Sequence, residues 1–99
     1  MNINYTNEDK LLLVELTEEI DHHIAEKIRR RVDYEIQRYF PRKVVFDFSG
    51  VSFMDSAGIG MIIGRYKLIS MLGGQLEIVN IKPNVEKILK MSGIMKLVS

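Results

Sequence analysis

The chain of 99 residues, 46% hydrophobic and 27% charged, is long enough for one compact domain around a single core and too short for two. Its 14 Lys and Arg against 13 Asp and Glu leave a net charge of +1, which excludes a general electrostatic affinity for nucleic acid or an anionic membrane. The absence of cysteine excludes disulfides, thiolate catalysis and Cys-based metal sites, and with no export signal and no apolar run near the roughly 20 residues a bilayer requires, a soluble cytoplasmic protein is expected.

Asn2 to Tyr5 and Leu11 to Leu16 are short β-prone runs joined by the polar Asn7-Glu8-Asp9-Lys10, which predicts an antiparallel pair. Asp21 can cap a helix running to about Tyr39, with Ile24, Ile28, Val32 and Ile36 as its apolar stripe and Pro41 beyond its end. Val44 to Phe48 reads as a buried strand, followed by a turn at Ser56 and a helix to about Leu72 that Gly73-Gly74 can close. Leu76 to Ile81 is the next strand, Pro83 and Asn84 open a last helix through Val85, Ile88 and Leu89 to Ser92, and Ile94 to Val98 is expected as a short edge strand. The order β-β-α-β-α-β-α-β predicts an α/β domain, a mixed β-sheet with its helices packed on one face and the loops after the strands' carboxyl ends as the site.

The stretch Phe53-Met54-Asp55-Ser56-Ala57-Gly58-Ile59-Gly60 puts a serine at or beside the N-cap of the second predicted helix, where the loop after a strand turns into that helix. A serine there most often only satisfies a backbone N–H, worth about 1 kcal/mol. Here Asp55 is already available as the cap, and Ala57, Gly58 and Gly60 carry almost no side chain, so the first turn is left open to an approaching molecule. A phosphate esterified to Ser56 would be accommodated by the helix N-terminus and would add roughly −1.5 to −2 charges beside Asp55, altering how a partner meets that surface. Along the same helix Ala57, Met61, Leu68 and Leu72 fall on one side while Ile59, Ile62, Ile63, Tyr66 and Ile69 cover most of the rest, more apolar surface than one sheet contact uses. Deep burial is the ordinary explanation; in so small a domain an exposed apolar, protein-binding patch beside Ser56 is the expectation.

Other constellations carry less. His22-His23 point to different helix faces and have no further Cys or His to complete a metal site. Gly58-Ile-Gly60-Met-Ile-Ile-Gly64 departs from the dinucleotide spacing and has no Walker lysine, so helix packing is the simpler reason for these glycines. Ser56 has no histidine base in its own segment, which makes a hydrolase improbable. Asp21, Asp47 and Asp55 could converge on Mg²⁺, although such aspartates more often cap helices and loops, and Arg29-Arg30-Arg31 reads as a solvated helix face offset by Glu26, Asp33 and Glu35.

Taken together, Leu16-Thr17-Glu18-Glu19-Ile20-Asp21, the strand ending Phe46-Asp47, the Phe53 to Gly60 segment, Gly64-Arg65-Tyr66-Lys67 and Met91-Ser92-Gly93-Ile94 resemble the STAS domain family, and within it the small bacterial anti-sigma factor antagonists, over essentially all of 1–99. The resemblance implies a non-enzymatic regulatory module without cofactor or metal, in which Ser56 is phosphorylated by a partner that is both serine kinase and anti-sigma factor. The unphosphorylated form binds that partner and frees the sigma factor, and a metal-dependent serine phosphatase resets the cycle. Asp21, Asp55, Ala57, Gly58, Ile59, Gly60, Ile63 and Tyr66 are the expected contact surface, and the free protein is expected to be a monomer. Two departures stand out: Glu18 replaces a residue that is often glycine in the family, and family members commonly continue into another helix where this chain ends. A role in another partner-switching or stressosome complex, or nucleotide binding at Gly58 to Gly64, are the alternative readings.

Overall fold

Three consecutive β-α units dictate the architecture. With the strands lying side by side in chain order and right-handed crossovers, each helix returns over the same face of the sheet. The computed structural model describes residues 1–98 as β1 (Asn2–Thr6), β2 (Leu11–Glu15), α1 (His22–Tyr39), β3 (Lys43–Asp47), α2 (Ser56–Met71), β4 (Gln75–Val79), α3 (Pro83–Ser92) and a 3₁₀ turn over Ile94–Lys96; Ser99, the last residue of the expected domain, lies outside the described residues. The sheet order is β1-β2-β3-β4, with β1 antiparallel to β2 and the other pairings parallel.

Register places Leu12 and Val14 opposite Val44 and Phe46, and these opposite Leu76 and Ile78. All six are buried and join Ile28, Val32 and Ile36 of α1, Met61, Ile62 and Ile69 of α2, and Val85 and Leu89 of α3 in one core. The alternate positions tell the other half: Leu11, Leu13, Lys43, Asp47, Glu77 and Val79 are only half-buried, although Val45 between them is buried, and Lys43 pairs with Glu77 there, so among the described residues no helix covers the second face of the sheet. The Tyr5 ring stacks on Tyr39 at 4.2 Å between centroids, tying the edge strand to the end of α1.

The predicted last strand does not form. Gly93 caps α3 in the left-handed conformation (φ 81°), and the chain then coils as a 3₁₀ turn with Leu97 N–H donating to Ile94 O at 2.9 Å. That coil buries Ile94 against the core, which an edge strand would have exposed on one face. At the end of α2 the expected glycine closure is present: Gly73 (φ 84°) donates to Ser70 O at 3.0 Å and Gly74 to Ile69 O at 2.8 Å, the Schellman pattern. The end of α1 is less orthodox, since Phe40 rather than a glycine takes the left-handed cap position (φ 47°) ahead of Pro41.

Candidate functional site

The loops leaving β2, β3 and β4 meet at the carboxyl edge of the sheet, where backbone hydrogen bonds lock them together. Ile20 N–H donates to Phe53 O at 3.0 Å and Asp55 N–H to Ile20 O at 3.1 Å, so the residue preceding α1's cap and the residue capping α2 are laced side by side. Gly50 lies so close to the neighbouring loop that a Cβ there would come within 2.5 Å of Leu16 O and 2.8 Å of Thr17 Cα. These contacts fix Asp21 and Asp55 at one rim.

The two helices start alike. Asp21 Oδ1 accepts the Ile24 N–H at 2.9 Å, and Asp55 Oδ1 accepts the Ala57 N–H at 2.8 Å. Ser56 is therefore the first residue of α2 rather than its cap, and it is exposed. Asp47 Oδ1 accepts the Ser49 N–H at 2.9 Å and an Asn80 Nδ2–H at 3.2 Å, so each of the three aspartates is used to tie backbone or loop in place.

The Ser49 N–H, aided by Asn80, holds the Asp47 carboxyl below its ordinary value of 3.8. Ionised Asp47 thus contributes stability that is present above pH 3.8 and lost as pH falls through the lower native value. A ¹³C titration of the side-chain carboxyls should place the Asp47 midpoint below 3.8, and Asp47→Asn should make unfolding less dependent on pH in that acid range; a midpoint at or above 3.8 would contradict this picture of the loop.

Around Ser56 the structure brings together Asp21, Asp55, Ala57 and Gly60, but not Gly58. Gly58 is buried: a Cβ there would lie 2.2 Å from Met54 Cγ and 3.2 Å from Ile20 Cγ2, so its role is close packing beneath the loop rather than surface contact. Packing explains that glycine alone, because Gly60 and Gly64 have nothing within 4 Å of a Cβ position. Ile59, Ile63 and Tyr66 form one stripe along α2 and are half-buried against the core. Tyr66 lies about 15 Å along the helix from Ser56 at 1.5 Å per residue.

The exposed apolar surface next to Ser56 is instead Phe53, 50% exposed in the loop three residues earlier. Its sequence signal was weak, because loop position alone does not say whether an aromatic turns inward. A groove between α1 and α2, lined by His22, Ala25 and Glu26 on one side and Ala57, Gly60 and Met61 on the other, opens beside the same turn.

Beneath that groove Arg65, 7% exposed, faces Asp33 of α1 across the helix pair, with Nε 2.7 Å from Oδ1. Arg65 Nε and Nη1 and Asp33 Oδ1 nonetheless have no hydrogen-bond partner of good geometry, so the contact is chiefly one of charge. Asp33 therefore does more than offset the arginine triplet, while Glu26 alone pairs with both Arg29 and Arg30. The pair was hidden in the sequence because its members are 32 positions apart on different helices.

Among the described residues no helix is long and apolar enough to cross a membrane. A model of the STAS domain family matches residues 2–99. The chain is 40% identical over 87 residues to the anti-sigma F factor antagonist of Paenibacillus polymyxa, a match spanning 88% of this chain and 74% of that protein. In three dimensions it is similar to the anti-sigma factor antagonist SpoIIAA in its unphosphorylated form, with a TM-score of 0.87 and 26% identity over 99% of this chain and 84% of that one. The Bacillus cell fate determinant SpoIIAA in its phosphorylated form gives a TM-score of 0.77 at the same 26% identity, over 99% of this chain and 87% of that one.

Proposed function

The chain belongs to the STAS domain family, and from that premise we propose that it is an anti-sigma factor antagonist whose hold on an anti-sigma factor with serine kinase activity is switched by phosphate on Ser56. The observation that carries this reading is the division of labour at the start of α2: Asp55 caps the helix, which leaves the exposed Ser56 hydroxyl unneeded by the fold. In the unphosphorylated state the partner meets a neutral hydroxyl flanked by Phe53, Asp55, Ala57 and Gly60, with Asp21 on the adjoining rim and Ile59, Ile63 and Tyr66 leading away along α2. Occupying the anti-sigma factor releases the sigma factor it held.

In the return step the γ-phosphoryl of ATP passes to Ser56 Oγ, ADP leaves, and the hydroxyl proton goes to a base of the kinase. A metal-dependent serine phosphatase restores the hydroxyl by hydrolysis. This chain acts as ligand and substrate in both steps and contributes the presented oxygen, not catalytic groups. Incubation with ATP and the cognate anti-sigma kinase is expected to raise the intact mass by one phosphate, mapped to Ser56. Labelling that persists undiminished in Ser56→Ala would reject the site.

Gly60 separates stability from binding on this surface. An alanine is preferred over glycine in a helix interior by about 1 kcal/mol, and the space at Gly60 is open, so Gly60→Ala should raise the melting temperature by about 4 °C or more. The added methyl stands one turn from Ser56, where it should weaken the anti-sigma complex several-fold. Gly64→Ala, a further turn away, should stabilise similarly with less effect on binding. Thermal unfolding and calorimetric titration of both variants test this, and a Gly60→Ala protein that binds with unchanged affinity would remove Gly60 from the interface.

A further inference from the structure

On the side of α1 facing away from α2, a cleft of about 220 Å³ lies between that helix and the loop leaving β2. Its floor is apolar: Leu16 and Ile28 are buried and Ile24 is half-buried. Its wall carries Lys27 and Arg31, one helical turn apart on one face, with Thr17 on the loop. Arg29 and Arg30 share the Glu26 carboxylate, but among the described residues Lys27 and Arg31 have no carboxylate within salt-bridge distance. The Thr17 hydroxyl accepts from the Met1 amino group at 2.9 Å and keeps its own proton to donate.

A water's share of liquid volume is about 30 Å³, so the cleft has room for a short chain as well as a charged head. The Lys27 and Arg31 cations, with the Met1 ammonium beside the Thr17 hydroxyl, above an apolar floor form a chemistry that neither a neutral apolar molecule nor a bare inorganic anion would satisfy in full. We infer that this cleft binds a small amphipathic anion, its carboxylate or phosphate held by Lys27, Arg31 and Thr17 and its apolar chain laid on Leu16, Ile24 and Ile28. Glu18, on the same wall, opposes the anion and sets the affinity from the other side. The site lies across α1 from Ser56, and the inference does not depend on the antagonist reading.

The test is an NMR titration of the folded protein with hexyl phosphate, hexanoate, inorganic phosphate and 1-hexanol in parallel. Hexyl phosphate is expected to shift the amides of residues 16–18 and 27–31 saturably, while 1-hexanol and inorganic phosphate at equal concentration leave them near their free positions. Hexanoate matching hexyl phosphate would support a carboxylate ligand; a clearly weaker hexanoate would support a phosphate one. The double variant Lys27→Gln, Arg31→Gln should lose about tenfold or more in affinity, Glu18→Gln should gain several-fold, and Arg42→Gln at the opposite end of the sheet should change nothing. All these side chains are exposed, and unaltered thermal unfolding confirms that the variants keep the fold. Absence of saturable shifts, equal binding of 1-hexanol, or an affinity unmoved in the double variant would each overturn the inference.

Discussion

Phosphorylated at Ser56, the protein is expected to bind its anti-sigma partner at least about a hundredfold more weakly than the unmodified form, close to 3 kcal/mol at 1.4 kcal/mol per decade. The modification adds roughly −1.5 to −2 charges directly beside the Asp55 carboxylate. In the free protein that charge is tolerable, because the first-turn N–H groups of α2 and its dipole favour an anion by about 0.3–1 kcal/mol. In the complex the same dianion must shed water against a surface shaped for a hydroxyl, and like-charge juxtaposition at an interface costs several kcal/mol. The melting temperature of the free protein should consequently move little while the affinity collapses. Ser56→Ala should bind nearly as well as the parent and resist inactivation; Ser56→Asp should give only part of the loss, since one charge on a planar carboxylate is a poor copy of phosphate. Calorimetric titration of both forms decides the matter: equal affinities would refute the switch.

Removing the charge of Asp33 is expected to be the most damaging polar substitution in the fold. Arg65 is buried at the α1–α2 contact, and Asp33→Asn leaves its guanidinium without its nearest counter-charge, for which about 3–5 kcal/mol is usual when an ion of this kind is stranded. Asp33 retains 24% side-chain exposure, so water relieves part of the penalty and about 2–3 kcal/mol is the expected loss. Arg65→Met should cost less, because the orphaned carboxylate is partly solvated and has Arg29 at 3.9 Å. The double variant Asp33→Leu, Arg65→Met should recover most of the difference, as an imperfectly hydrogen-bonded buried pair gives little net stability over apolar packing. Urea unfolding with an unchanged m value measures each term. An Asp33→Asn protein within about 0.5 kcal/mol of the parent would mean that the pair is no more than a surface contact. Because the pair lies under the groove beside Ser56, the single variants should also loosen that groove, visible as faster amide exchange at the start of α2.

The chain's local chemistry was legible because it acts over three or four residues. Asp21 and Asp55 announce their caps, Gly73-Gly74 and Gly93 their helix ends, and the Val44 to Phe48 run its burial, so the elements through α3 match their expected order with shifts of a residue or two at the ends. Ile94 to Val98 misled because a run of apolar residues reads equally as strand or coil when its only instruction is to cover a core. The same limit hid Gly60 and Gly64, whose glycines look identical to Gly58 until the neighbours of each Cβ position are known. It also misplaced the apolar patch, since the stripe from Ile59 to Tyr66 is half covered and Phe53 supplies the exposed aromatic.

By itself, then, the sequence determined which segments coil or extend and that a serine follows a capping aspartate at the start of a helix, for these depend on backbone hydrogen bonds made within a few residues. Only the tertiary structure decided that Ser56 faces water, that Gly58 lies under Met54 and that Arg65 answers Asp33. Exposure and pairing are set by which distant elements exclude solvent from a given atom, and no local pattern encodes that exclusion.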